Sequence, residues 1–126
     1  MDVQRIHSEV RVASQHFPNI EAIPTTDGGV WVKACLQTSV GRIYMLGVYF
    51  DGYPYEMPKV FVTKPTLGYT IHIYNAGNIC YMHPNVWNPG RHDLKHVLFQ
   101  AAVWLNKYEV FQQRGKWPGP GISHAA

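Results

Sequence analysis

The chain has 126 residues, 46% of them hydrophobic and 15% charged, which is enough for one packed core and too little for two. Its formal charge of +3, from 11 basic and 8 acidic residues dispersed along the sequence, is too mild for a nucleic-acid surface. No apolar run approaches the roughly 18 residues of a membrane span, and Met-Asp-Val-Gln-Arg-Ile-His-Ser-Glu at the N-terminus lacks the apolar core of a secretory signal. A cytoplasmic protein with no nucleic-acid or membrane partner is expected, with its two cysteines, Cys35 and Cys80, as free thiols.

Val3, Ile6, Val10, Ala13 and Phe17 recur at steps of three and four, one face of an amphipathic helix from about residue 2 to 16 that Pro18 ends. A linker runs through Pro24 to the Asp27-Gly28-Gly29 turn. From Val30 to Thr38 the apolar residues alternate: Val30, Val32, Ala34 and Leu36 face one way, and Trp31, Lys33, Cys35 and Gln37 the other. Cys35, inside that strand, is expected to be inert. Ser39 to Arg42 turns the chain into a second strand, Ile43 to Phe50, which completes an antiparallel hairpin. The prolines of Tyr53-Pro54-Tyr55-Glu56-Met57-Pro58 lack amide donors and exclude central strand there, whereas Lys59 to Thr63 forms a short third strand.

The stretch from His72 to Pro89 holds Cys80 among turn formers. Asn75, Gly77, Asn78, Pro84, Asn85, Asn88 and Pro89 supply left-handed or fixed backbone angles, so the segment reads as a loop. Imidazoles at His72 and His83 within reach of the sulfur would stabilise a thiolate. The competing role for Cys80 is a small buried hydrophobe in the run Ile79-Cys80-Tyr81-Met82. Asp93 then caps a second helix whose apolar face is Leu94, Val97, Leu98, Ala101, Leu105 and Tyr108. The Trp/Pro/Gly-rich tail, residues 115–126, cannot be helical, and Trp117 is expected to pin it to the body. Together these elements make an α+β fold of one domain, an antiparallel β-meander packed on an N-terminal helix and a central helix after the loop.

In this order the motifs resemble the catalytic domain of ubiquitin-conjugating enzymes. The resemblance rests on Trp31, on Tyr53-Pro54-Tyr55-x-x-Pro58-Lys59-Val60, on Gly77-Asn78-Ile79-Cys80, on Trp87-Asn88-Pro89 and on Leu94-x-x-Val97-Leu98, in register over residues 3 to 108. It implies a UBC-like fold shortened at the C-terminus, with Cys80 carrying the C-terminus of a partner protein as a thioester. That family sets His-Pro-Asn before its cysteine, with the asparagine as oxyanion stabiliser. Here His72-Ile73-Tyr74 stands two residues closer and the asparagine is absent. The literal His83-Pro84-Asn85 follows Cys80 and is not its counterpart. Short forms of this kind resemble the bacterial homologues encoded beside nucleotidyltransferases in cyclic-oligonucleotide-based anti-phage signalling (CBASS) operons. The implied partner is a nucleotidyltransferase or a ubiquitin-like protein, with or without an activating enzyme.

A thioester carrier needs an exposed thiolate, a groove for the arriving chain end, and donors aimed at the oxyanion. Cys80 supplies the sulfur. Asn78 or Asn75 supplies a side-chain donor, or else both are ordinary turn residues. His83 is either a base near neutral pH or a rim residue, and His72, in the family's histidine position, is structural. Trp87 and Pro89 frame the loop, while Tyr55 and Met57 either dock the partner or pack the core. Two rival chemistries use the same residues. His92 and His96, four apart, make a metal set with Cys80 and His83, but the metalloprotease glutamate and any Cys-x-x-Cys pair are missing, so neither metal nor cofactor is expected. A cysteine hydrolase would pass the acyl group to water. A non-catalytic binding module of the same fold is the reading from a different class, and solvent access of Cys80 separates it from the carrier.

Overall fold

The computed structural model describes residues 1–119. Helix α1 (Val3–Ala13) starts at Asp2, whose side chain accepts from the Arg5 amide at 3.0 Å, and it buries Ile6 and Ala13. It stops at Ala13 rather than residue 16, because the next amides bond three residues back, Gln15 to Val12 and His16 to Ala13, tightening the chain into a turn. Phe17 still packs inward, edge-on to Phe99 at 4.9 Å between ring centroids.

The expected linker is instead a strand. β1 (Ile20–Pro24) pairs antiparallel with β2 (Val30–Gln37), in register from Ile20 opposite Ala34 to Pro24 opposite Val30. Its position at the sheet edge explains why Pro24 is tolerated, since an edge strand can lose a donor on its solvent side. β3 (Ile43–Tyr49) and β4 (Lys59–Lys64) complete a four-stranded meander in the order β1-β2-β3-β4, so Lys59–Lys64 is the fourth strand and not the third. On β2, Val30, Val32, Ala34 and Leu36 are buried while Trp31, Lys33 and Cys35 are half-buried on the other face, where Trp31 stacks on Tyr49 at 5.5 Å.

Helix α2 (Leu94–Arg114) is capped by Asp93, which accepts from the His96 amide at 2.9 Å, and ends at Gly115 in the left-handed conformation, φ 71°. Leu94, Val97, Leu98, Ala101, Leu105 and Tyr108 are all buried, and they share one core with Val32, Leu46, Val48 and Val60 of the sheet. Each fully buried Leu or Val of this set contributes about 1.5–3 kcal/mol. Two further buried residues on α2 extend that stripe: Trp104, and Glu109, whose carboxylate accepts from Tyr44 Oη at 2.9 Å and Thr38 Oγ1 at 3.1 Å. Those two bonds tie the β2–β3 turn to the end of α2. Beyond Gly115 the half-buried Trp117 folds back against Phe111, Trp104 and His72, with ring centroids at 6.0, 5.6 and 4.7 Å. The rest of the tail, residues 120–126, lies outside the described residues. Among the described residues no helix is long and apolar enough to cross a membrane.

Candidate functional site

After β4 the chain is fastened along α2 by Tyr108 Oη, which accepts from the Gly68 amide at 2.7 Å, and by Gln112, which donates to the Tyr69 carbonyl at 2.6 Å. This brings it to His72, the one described non-glycine residue with positive φ, at 58°. Its carbonyl accepts from the Cys80 amide at 2.9 Å and from Trp104 Nε1 at 3.0 Å. A tight hairpin follows: Ile73 bridges Ile79, the Tyr74 amide donates to Asn78 O at 2.9 Å, and the Gly77 amide donates to Tyr74 O at 2.8 Å. Gly77 makes the turn possible with φ 95°, an angle that a side chain would disfavour. The Ile79 amide then donates to Val60 O on β4 at 2.9 Å. Cys80 therefore sits on a limb fixed by backbone bonds to its own hairpin and to the sheet.

Contrary to the exposed thiolate expected of a carrier, Cys80 is fully buried, at 0% exposure. Apolar neighbours on both sides, Ile79 and Tyr81, draw the limb into the core, and Tyr81 is held there by its hydroxyl bond to Pro58 O at 2.6 Å. Burial pushes the thiol above its usual pKa, and the contact with Tyr74 opposes that shift. Cys80 Sγ and Tyr74 Oη are 3.1 Å apart. The thiol donates to the phenol oxygen when protonated, and the phenol donates to sulfur once the thiolate forms. Burial and the sulfur together push the Tyr74 pKa up to about 12, so the phenol keeps its proton near neutral pH. His83 Nδ1 accepts from the Asn85 amide at 3.1 Å and caps the short 3-10 turn Pro84–Val86, while the His72 ring lies against Trp117.

Two spaces flank this pair. One, of about 40 Å³, is walled by His72, Cys80, Tyr81, Trp104, Lys107 and Trp117, so the tail tryptophan closes the sulfur off on that side. The other is an open groove of about 650 Å³, walled by Tyr49, Tyr55, Met57, Tyr74, Asn75 and Asn78 among others. Tyr74 is thus both a wall of the groove and the residue in contact with the sulfur. Tyr55 stands 83% exposed at the groove, Met57 is half-buried against the core, and Asn78 is 6% exposed.

The residues after Cys80 serve a different purpose. Trp87 is 9% exposed, donates from Nε1 to Pro54 O at 2.8 Å, and packs on Tyr53 and His92 at 5.9 and 5.4 Å. The Pro89 carbonyl accepts from Arg5 Nη2 at 2.8 Å, and the same nitrogen donates to His92 O at 3.0 Å. Glu9 accepts from Tyr53 Oη, from Arg5 and from the Leu94 amide, the last at 2.9 Å. Trp87 and Pro89 are therefore parts of a clasp joining α1 to the start of α2. Arg5 and Glu9 were not anticipated, although an Arg-Glu pair four apart beside the apolar stripe was their signal. His92 Nδ1 accepts from the Asn88 amide at 2.9 Å, and its ring stacks on His96 at 4.5 Å. Burial, then the charge of His92, lowers the His96 pKa. Among the described residues no group of three or more His, Cys, Asp or Glu is placed to hold a metal. Cys35, expected to be the protected thiol, is the more accessible of the two.

The architecture is shared with a solved complex of the Vps23 UEV with ubiquitin. The TM-score is 0.60 over 81% of this chain and 81% of that one, at 15% sequence identity. At that identity the likeness speaks for the fold alone, and it is UBC-like. No curated protein matches the chain by sequence. A family model does: that of the Type II CBASS E2 protein, E2-CBASS, over residues 9–125. Because that match runs from α1 through the hairpin of Cys80 and along the whole of α2, the protein belongs to the Type II CBASS E2 family.

Proposed function

We propose that the protein is an acyl carrier of anti-phage defence, in which Cys80 takes the C-terminal carboxyl group of a partner protein as a thioester and passes it to an amine. One observation carries this reading: the sulfur lies 3.1 Å from a phenol that forms the wall of an open groove of about 650 Å³. An extended chain end lying in that groove, along Tyr55, Met57 and Asn78, would bring its carboxyl carbon to the tyrosine that touches the thiol. Family membership supports a cytoplasmic nucleotidyltransferase as the carried protein, with a ubiquitin-like protein as the alternative, and an activating enzyme as the source of a carboxyl group that a thiol can attack. A cysteine hydrolase, which would need an imidazole at the sulfur to activate water, is the weaker alternative, since His83 is engaged by the Asn85 amide instead.

The burial of Cys80 and its raised pKa favour a second reading, a non-catalytic binding module. Co-expression with the candidate nucleotidyltransferase and activating enzyme separates the two. The carrier reading expects a thiol-sensitive covalent adduct with the wild type, a thiol-resistant oxygen ester with Cys80→Ser, and no adduct with Cys80→Ala, as read by denaturing gel and mass spectrometry. If all three proteins bind the partner equally and none forms an adduct, the binding module is correct.

A further inference from the structure

We infer that the hydroxyl of Tyr74 is a catalytic donor: it hydrogen-bonds the Cys80 sulfur while the site is empty and the carbonyl oxygen of the thioester when an amine attacks. The inference rests on the carrier reading above and adds a residue to it. Its basis is the 3.1 Å contact between Oη and Sγ, together with the position of Tyr74 on the groove wall. A carbonyl carbon bonded to Sγ must place its oxygen within a short distance of a hydroxyl that already touches the sulfur. The backbone that carries the hydroxyl is also fixed in place. The Tyr74 amide and carbonyl both bond within the hairpin, to Asn78 and Gly77, and the next limb is locked to β4 through Ile79. A donor held before reaction costs little reorganisation when charge develops.

The chemistry closes without any further reagent. On loading, the sulfur attacks the activated carboxyl carbon, the S–C bond forms, the activating group leaves with its electron pair, and the thiol proton goes to water. On transfer, the amine nitrogen attacks the same carbon and the carbonyl pair moves onto oxygen, where the Tyr74 O–H donates. As the C=O bond re-forms, the C–S bond breaks, the pair returns to sulfur, and the surplus amine proton leaves to solvent. Tyr74 lends a hydrogen bond throughout and never gives up its proton, as a phenol with a pKa raised to about 12 requires. Asn78, also on the groove wall, is the rival donor.

The test loads Cys80 from a small peptide thioester ending in glycine, so that neither the natural partner nor an activating enzyme is needed. All proteins carry Cys35→Ser. Discharge of the adduct to lysine is followed by mass spectrometry in the wild type, Tyr74→Phe and Asn78→Ala, and the pH profile of Cys80 alkylation is recorded for each. Tyr74→Phe keeps the ring, and its melting curve checks that the fold is retained. We expect discharge to slow about 100-fold in Tyr74→Phe and less than about tenfold in Asn78→Ala, with the alkylation profile of Tyr74→Phe moved to higher pH. Discharge from Tyr74→Phe within about twofold of the wild type overturns the assignment while leaving the carrier reading intact. A slowed discharge in Tyr74→Phe, set beside a wild type that never takes up the natural partner in the co-expression experiment, sinks the carrier reading and with it the catalytic role, leaving Tyr74 a donor only toward the peptide thioester. If Cys80 cannot be acylated at all, both fall.

Discussion

The two limbs that meet at Cys80 are held by opposite means. The limb before it, from His72 to Ile79, is pinned through its own backbone, within a tight hairpin, to the Trp104 indole and to β4. The limb after it, from Tyr81 to Asp93, is pinned by side chains: Trp87 on Pro54 and Tyr53, and Arg5 and Glu9 on Pro89, His92 and Leu94. The first carries the phenol that touches sulfur; the second carries Trp87-Asn88-Pro89 and uses it for support. A histidine or tryptophan near the candidate cysteine therefore need not serve its chemistry. His83 is the clearest case, because its ring nitrogen holds the turn at Asn85.

This contrast can be broken most severely at Glu9. Glu9→Ala removes the acceptor shared by Tyr53, Arg5 and the Leu94 amide, and a stability loss of about 2–4 kcal/mol is expected in urea unfolding. The alkylation profile of Cys80 should not move, since the other limb does not depend on the clasp; a shift in that profile would show that the two limbs are coupled. A smaller effect is expected from Trp117→Ala. It should cost roughly 1–2 kcal/mol and speed Cys80 alkylation several-fold, by opening the small cavity that Trp117 walls. An unchanged alkylation rate would mean that the sulfur is reached only past Tyr74. The mildest test changes no residue. At neutral pH a thiol reagent should label Cys35 before Cys80, in line with their exposure.

Raising the pH sharpens the same point. The Cys80 pKa is raised in the fold, so the unfolded chain gives up that proton first, and the stability present below the ordinary thiol value is lost as pH climbs above it. Tyr44 and Tyr74, both raised to about 12, and Tyr53 and Tyr81, raised further, extend the loss beyond the ordinary tyrosine value of about 10. Melting temperature should fall progressively above about pH 9, and Cys80→Ala should flatten the first part of that decline.

Periodic signals carried the framework well. The six residues read as the apolar face of the second helix are all buried, and the four read as one face of β2 are too. β1 was hidden because five residues ending in proline give too short an alternation to recognise without the strand they pair with. The site was legible in its sulfur and its groove residues, Tyr55, Met57 and Asn78, but not in Tyr74. That contact depends on a left-handed His72 and on the Gly77 turn, which fold position 74 back beside position 80, and no helical or strand period encodes such a return. Glu109 was missed for a similar reason: its hydroxyl partners Thr38 and Tyr44 lie on either side of the β2–β3 turn, remote in sequence.

The bond from the Ile79 amide to Val60 O has a consequence for the behaviour of the protein in a crowded cell. β4 is the last strand of the sheet, and a bare outer strand invites pairing with other chains. The hairpin of Cys80 covers part of that border, and Lys59 and Lys64 bracket the strand with charge. The segment that holds Cys80 thus also guards against aggregation. Variants that unravel this hairpin, such as replacements of Gly77 by a branched residue, should be lost to insoluble protein before any change in their chemistry can be observed.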